Sequence, residues 1–201
     1  ENTSGVLGVV RRGERGAVGS GLNAVALGHG AGTYEEAVRF FAEWNGFLAA
    51  YSDWFMRIGT VDDFAKARST GRFGILLTFQ DSTHFRAPDD VATFFGLGQR
   101  LSQLTYNFNN RIGSGFLEQR DGGLSVFGLS IMDRMQTVGM AVDVSHCGDQ
   151  TTLDALDAAK KPVIFTHATA RGLVPGHLRC KTDEAIRKMA KTGGVMGIAG
   201  R

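Results

Sequence analysis

Two histidines stand at equivalent points of the sequence and could together hold a metal ion. His146 ends the segment Met140–His146, and His167 ends the segment Lys161–His167; apolar residues dominate both segments. Neutral imidazole is a common ligand of zinc. One histidine in such a place favours an ordinary bond to a loop carbonyl, whereas the repetition of the pattern favours a metal site.

The elements around these histidines are expected to bring them together. Each apolar run is too short for a helix and is typical of a buried parallel strand. The polar segment between them has Leu153, Leu156 and Ala159 at helical spacing. In a strand–helix–strand unit both strands finish at the same edge of the sheet. We therefore expect the histidines side by side at the carboxyl ends of neighbouring strands, where sheets and barrels of this class carry their sites.

The rest of the chain continues this alternation of strands and helices. Strands are predicted to begin near residues 22, 73, 101, 140, 162 and 194, with helices opening near Thr33, Thr60, Asp89, Leu124, Asp149 and Thr182. Such alternation predicts an α/β fold with a parallel sheet and outer helices, either doubly wound or most of a (β/α)₈ barrel. No glycine-rich nucleotide fingerprint follows the first strand. The long loop Asn109–Gly123 is of a length that is usually functional or disordered.

Composition limits the function classes. The chain has 201 residues, 43% hydrophobic and 21% charged, which fits one domain over residues 1–201. The net charge of +2 is scattered, so we expect no nucleic-acid partner. The sequence shows neither a signal peptide nor an apolar run of about eighteen residues, so no membrane span is expected and a cytoplasmic location is slightly favoured. Cys147 and Cys180 are expected to be unpaired thiols, and the basic, glycine-rich residues 1–19 a helix remnant or a flexible lead-in.

Several motifs resemble the renal (membrane) dipeptidase family, and its bacterial branch most of all. The resemblance covers the chain from about residue 20 onward and is carried by Leu101–Asn107, Gly113–Gly115, Asp121–Ser125, Val142–His146, Pro162–His167 and Arg179–Glu184. It implies a (β/α)₈ TIM barrel of the metal-dependent hydrolase type. It also implies one or two zinc ions, hydrolysis of dipeptides by a metal-activated hydroxide, and a possible homodimer.

The resemblance also implies roles for individual residues. His146 and His167 match the two histidines that bind the second zinc, and Gln80 stands where the family has a glutamate that bridges both metals. Tyr106 stands where the family often has a histidine that polarises the scissile carbonyl, so it is the catalytic candidate and, with Asn107, a substrate contact. Arg179 matches the arginine that holds the substrate carboxylate. The alternatives are that Gln80 caps a loop, that Tyr106 is a packed aromatic residue, and that Arg179 pairs with Asp183 on the surface.

The sequence departs from the family pattern in three places. His29 is not followed by the Asp of the family's His-x-Asp pair, and the Asp of the eighth strand has no counterpart, so the chain is expected to be an internal portion of a longer barrel. Gln80 is a neutral amide with one good acceptor oxygen, which removes a negative charge from the metal site. These departures keep two alternatives open. One is a degenerate relative that binds a small carboxylate ligand, and the other is a hydrolase of another amide or a lactone.

Three further polar residues are assigned without the resemblance. Asp143 precedes His146 by three positions on the strand and so points to the opposite face, which favours a supporting role over direct metal binding. His84 and His177 lie in polar segments and are expected to be solvated.

Overall fold

The structure is a computed structural model and describes residues 22–30 and 32–199. The expectation for residues 1–19 lies outside this range. Contacts group the described residues into two compact units, one comprising residues 22–27 and 45–76, and the other comprising residues 28–30, 32–44 and 77–199. The first helix, α1 (Tyr34–Ala50), contributes residues to both units. The assignment of residues 1–201 to a single domain stays a prediction.

The smaller unit holds a parallel three-stranded sheet in the order β1 (Ala24–Ala26), β3 (Phe73–Leu76), β2 (Phe55–Arg57). Helix α2 (Val61–Ser69) begins as expected after Thr60, whose backbone N–H donates to the Asp63 carboxylate at 2.8 Å. Gly74 allows close packing at the centre of the sheet, because a Cβ there would lie 2.7 Å from the Ile58 side chain. Strand β2 was not predicted from the sequence.

The larger unit holds a parallel five-stranded sheet that follows chain order: β4 (Thr78–Phe79), β5 (Leu101–Gln103), β6 (Ala141–Asp143), β7 (Val163–Ala168) and β8 (Met196–Ile198). The intervening helices are α3 (Pro88–Leu97), α4 (Val126–Val138), α5 (Asp149–Asp157) and α6 (Asp183–Lys191), and a 3₁₀ turn spans Arg171–Leu173. The predicted α/β class with parallel strands is confirmed. The single strand expected over Phe73–Phe79 is wrong, because it divides at Leu77 into β3 and β4.

Helix ends follow their sequence signals. The hydroxyl of Ser125 accepts from the Gly128 N–H at 2.8 Å at the start of α4, and the hydroxyl of Thr182 accepts from the Ala185 N–H at 3.1 Å at the start of α6. Helix α4 ends at Gly139, whose φ of +88° is the left-handed conformation that glycine adopts at low cost. These caps fix where each helix leads into the next strand.

The loop Asn109–Gly123 is tied to helix α5 by two aspartates. Asp121 accepts from the backbone N–H of Gln150 at 2.6 Å, and Asp154 of the helix accepts from the N–H of Leu124 at 2.9 Å. Gly113 lies so close to Thr151 that a Cβ would come within 2.7 Å of its methyl group. The loop is thus held against the helix that joins the two histidine-bearing strands.

Candidate metal centre

The two histidines lie side by side, as the strand–helix–strand pattern predicts. Strands β6 and β7 pair in parallel, with Asp143 opposite Ile164. His146 follows β6, His167 lies within β7, and their Nε2 atoms are 2.9 Å apart. This juxtaposition brings the two Nε2 atoms within hydrogen-bond distance of each other, and the assignment of the pair as metal ligands stays a prediction.

Each imidazole is held through its other nitrogen. Nδ1 of His146 lies 2.8 Å from Oδ1 of Asn107, and Nδ1 of His167 lies 2.8 Å from the hydroxyl of Thr166. The Thr166 hydroxyl in turn lies 2.5 Å from Oδ2 of the buried Asp143. Partners of this kind on Nδ1 orient metal-binding histidines and leave Nε2 for the metal.

The electrostatic surroundings keep both rings neutral. Burial, reinforced by the positive charges of Arg179 and Lys181, lowers the pKa of His146 to about 3. Burial also lowers the pKa of His167, although the nearby Asp143 carboxylate opposes that shift. A neutral imidazole is the form that binds a metal, so neither ring needs to lose a proton at neutral pH.

Tyr106 and Asn107 both lie against His146. The Tyr106 ring stacks on the imidazole, with centroids 4.3 Å apart and planes 23° apart, and is 40% exposed. Asn107 forms the hydrogen bond to Nδ1 already described. The backbone at this point is packed tightly, because a Cβ on Gly115 would lie 2.4 Å from the Asn107 carbonyl oxygen. Both residues therefore shape the surroundings of one imidazole.

Arg179 ties the two histidine segments together. One terminal nitrogen of its guanidinium donates to the Ser145 carbonyl at 2.6 Å, and the other donates to the His167 carbonyl at 2.7 Å. The alternative pairing of Arg179 with Asp183 is wrong, because both terminal nitrogens of Arg179 are on these two carbonyls and Asp183 lies beside Arg187 instead. Arg179 also lines a cavity of about 250 Å³ together with His167, His177, Val174, Thr169 and Ala199.

Gln80 follows β4 at the same end of the sheet. Its backbone N–H donates to the His29 carbonyl at 2.8 Å, and its own carbonyl accepts from the Gln103 side chain at 2.7 Å. Its side-chain amide lies against Gly28, where a Cβ would come within 3.0 Å of it. None of these contacts is with the two histidines.

Lys181 contacts Cys147, the residue that follows His146, and was not singled out from the sequence. Its ammonium is buried and donates to the Cys147 carbonyl at 2.7 Å and to the Thr152 hydroxyl at 3.0 Å. Burial lowers the pKa of Lys181 to about 8. Cys147 and Cys180 are free thiols, as expected.

The loop that carries Arg179 and Lys181 is fastened by a two-pronged ion pair. Both terminal nitrogens of Arg171 lie 2.6 Å from the Asp149 carboxylate, and Arg171 also donates to the Cys180 carbonyl. The sequence gives no sign of this pairing. By contrast, Ser145 and Thr166 each directly precede one of the two histidines. This repeated hydroxyl residue could have pointed to both side chains from the sequence.

His84 corrects an expectation made from the sequence. It is fully buried rather than solvated, and its Nε2 lies 3.0 Å from Oε1 of Gln99. Its ring contacts Phe79, Phe85 and Phe94. Burial lowers its pKa to about 4, so it is a neutral core residue.

Comparison with known proteins assigns the family. Residues 10–200 match the family model described as membrane dipeptidase, peptidase family M19. The chain belongs to the membrane dipeptidase family. An uncharacterised dipeptidase of Schizosaccharomyces pombe is 35% identical over 142 residues, which are 68% of this chain and 34% of that protein.

Solved structures agree with this assignment. An amidohydrolase from Pseudomonas aeruginosa is 34% identical, with a TM-score of 0.83, over 89% of this chain and 55% of that one. A metallopeptidase from Rhodobacter sphaeroides, liganded with a phosphinate mimic of the dipeptide L-Ala-D-Ala, is 17% identical with a TM-score of 0.76, over 86% of this chain and 51% of that one. The chain therefore spans about a third of the fungal protein and about half of each of the two bacterial structures. The expected fold, part of a (β/α)₈ barrel, is confirmed.

The described part of the chain offers a partial metal site. The two imidazoles form a donor set that suits zinc, since both are neutral and both are oriented through Nδ1. Within residues 22–30 and 32–199, no group of three or more His, Cys, Asp or Glu side chains is placed to hold a metal ion. The pair thus fits a metal but does not by itself supply the three protein ligands usual in catalytic zinc sites. Among the same residues, no helix has the length and apolar character needed to cross a membrane.

Proposed function

We propose that this chain forms the zinc-binding and substrate-anchoring part of a metal-dependent dipeptidase. The observation that carries the proposal is the pair of Nε2 atoms 2.9 Å apart, on His146 and His167, each ring being held through Nδ1. Family membership supports a metallopeptidase. Gln80 is the proposed third donor, through its side-chain oxygen, and the site is proposed to take one or two zinc ions.

The chemistry divides between the metal and the chain's own residues. Zinc, when bound, polarises a carbonyl and lowers the pKa of water towards neutrality. The two imidazoles hold it without first losing protons. Tyr106 stands against His146 with its ring partly exposed, and a phenol in this position can donate a hydrogen bond to the oxyanion that develops on the substrate.

Arg179 is proposed to hold the carboxylate of the dipeptide. It lines the cavity beside His167, and its two carbonyl contacts leave further N–H groups on the same planar fork. A guanidinium binds a carboxylate through two parallel bonds and so fixes its orientation. A dipeptide anchored this way lies beside His167, which lines the same cavity. Asn107 is proposed to contact substrate indirectly, through the imidazole that it holds.

The substrate proposal is tested by comparing L-Ala-D-Ala with its C-terminal amide in zinc-loaded protein. We expect the free acid to be hydrolysed with the higher kcat/KM, and Arg179→Met to abolish that preference when activity is compared per zinc bound, because Arg179 also contacts both histidine segments. Arg187→Met is the matched control, because Arg187 is an exposed arginine that pairs only weakly, at 3.5 Å, with Asp183. Equal preference for the acid in the wild type and Arg179→Met would contradict the assigned role of Arg179.

A second candidate function is carboxylate binding without hydrolysis. It is favoured by Gln80, because a neutral amide offsets less of the charge of two divalent ions than a glutamate does. Under this alternative, zinc-loaded protein binds L-Ala-D-Ala in a calorimeter, Arg179→Met removes the binding, and no alanine is released. Hydrolysis of a cyclic amide or a lactone, with no release of alanine from the dipeptide, would instead identify a hydrolase of another substrate class.

A further inference from the structure

The carboxylate of Asp143 is the acceptor in each of its hydrogen bonds with Ser145 and Thr166. Oδ1 accepts from the Ser145 N–H at 2.9 Å and from the Ser145 hydroxyl at 2.5 Å. Oδ1 also accepts from the Thr166 N–H at 3.2 Å, and Oδ2 accepts from the Thr166 hydroxyl at 2.5 Å. Two backbone donors and two short hydroxyl contacts are the surroundings of an ionised carboxylate, which only accepts.

The orientation of the Thr166 hydroxyl is therefore fixed by Asp143. It carries one proton, and that proton lies on the 2.5 Å contact with Asp143. Towards Nδ1 of His167, at 2.8 Å, the hydroxyl oxygen can then only accept. It follows that Nδ1 of His167 carries the ring proton and that Nε2 is a bare acceptor.

Asn107 places no such restriction on His146. An amide presents an acceptor oxygen at one end and a donor NH₂ of nearly the same shape at the other, so a half-turn lets it meet Nδ1 in either role. Nε2 of His146 lies 2.9 Å from the bare Nε2 of His167. Without a cation between them, this contact is favourable only if His146 carries its proton on Nε2.

We propose that the two histidines are held asymmetrically. Asp143, acting through Thr166, fixes His167 as a permanent Nε2 acceptor, whereas Asn107 lets His146 change tautomer when a metal binds. In the metal-free protein, Nε2–H of His146 donates to His167 and the Asn107 NH₂ donates to Nδ1 of His146. On metal binding, His146 releases the Nε2 proton to solvent and takes one up at Nδ1, which donates to the Asn107 oxygen, so the ring stays neutral. This inference rests on the proposed function only for its metal-bound half.

Asp143, Thr166 and Asn107 are therefore positioning residues with distinguishable effects. Asp143→Asn keeps the shape but puts a donor where Oδ2 stood, so the Thr166 hydroxyl turns its proton to His167 and drives the ring proton onto Nε2. Thr166→Val removes the intermediate hydroxyl, and Thr166→Ser restores it. Loss of such a partner typically weakens metal binding by about 10–100-fold.

The tautomers are read by long-range ¹H–¹⁵N correlation spectra of the metal-free protein. We expect the wild type to show His167 protonated on Nδ1 and His146 protonated on Nε2, and Asp143→Asn to show His167 protonated on Nε2. A wild-type His167 that is protonated on Nε2, or that averages between tautomers, would overturn the inference. These spectra need neither zinc nor activity, so they separate this inference from the proposed function.

The metal-bound half is tested by zinc titration against a competing chelator. Asp143→Asn and Thr166→Val should bind zinc about 10–100-fold more weakly than the wild type, with Thr166→Ser close to the wild type. In the zinc-loaded wild type, His146 should show its proton on Nδ1. Unchanged affinity in Asp143→Asn would overturn the control of His167 by Asp143. If the wild type shows the expected tautomers but takes up no zinc, both the metal-linked change of His146 and the proposed function are overturned. The fixing of the His167 tautomer would still stand.

Discussion

Removal of the Asp121 carboxylate should destabilise the fold through helix α5. The helix begins after Gly148, which has no side chain to cap it, and a Cβ there would lie 2.3 Å from Oδ2 of Asp121. Asp121 supplies the cap from the preceding loop. Its carboxylate accepts from the Gln150 N–H at 2.6 Å and from the Thr151 hydroxyl at 3.0 Å. A negative charge at a helix N-terminus is also favoured by the helix dipole.

The magnitude follows from these contacts. A lost helix cap costs about 1 kcal/mol, and a hydrogen bond to a charged group contributes about 1.5–3 kcal/mol. We therefore expect Asp121→Ala to lower the free energy of unfolding by about 3 kcal/mol. For a chain of this size, that lowers Tm by roughly 6–12 °C. Asp121→Asn keeps one acceptor oxygen and should cost about 1 kcal/mol.

The assay is thermal and urea unfolding followed by circular dichroism. Asp89→Ala is the matched control, because Asp89 is an exposed aspartate in the first turn of α3 and its loss should cost only a few tenths of a kcal/mol. If Asp121→Ala unfolds within about 1 °C of Asp89→Ala, the carboxylate does not cap α5 and the reasoning is refuted.

Three further predictions concern buried or tightly packed residues. His84 stays neutral in the fold, because its pKa is about 4 there against 6.5 in the unfolded chain. The fold should therefore lose about 3 kcal/mol of stability as the pH falls from 6.5 towards 4. His84→Leu should unfold with a visibly weaker pH dependence over that window. Lys181 has a pKa of about 8 in the fold against 10.5 in the unfolded chain, so the fold should gain stability as the pH rises from 8 to 10.5. The free energy of unfolding of Lys181→Met, measured in urea, should lack that gain. Gly115→Ala should displace Asn107 and weaken zinc binding about tenfold, measured by chelator competition. Gly96→Ala should leave the affinity unchanged, because a Cβ there meets open space and the residue has no positive φ.

Much of the site's placement could be predicted because it depends on local signals. The alternation of short apolar runs and a polar helix is enough to set β6 and β7 side by side, and His146 and His167 then meet by geometry. The sequence also favours a supporting role for Asp143 over direct metal binding, and that assignment stays a prediction. The repeated hydroxyl before each histidine was present in the sequence but carried no expectation.

Other features depend on contacts that no local pattern reveals. Strand β2 was missed because the charged Arg57 ends its short apolar run, and its pairing with β3 is visible only in the fold. His84 was placed in solvent because the segment around it is mostly polar, yet its ring packs against the adjacent Phe85 and against Phe79 and Phe94 from other elements. The bonds of Arg179 to two backbone carbonyls could not be predicted, since every residue carries a carbonyl and only the tertiary fold decides which one is within reach.

The central claim is that His146 and His167 jointly hold a divalent metal, and zinc stoichiometry tests it most directly. The purified protein is depleted of metal, titrated with zinc against a chelator and measured by elemental analysis, beside His146→Ala, His167→Ala and the control His177→Ala. We expect at least one zinc per chain in the wild type and in His177→Ala, and loss of that ion in each of the other two variants. Undiminished zinc stoichiometry and affinity in both His146→Ala and His167→Ala would contradict the claim.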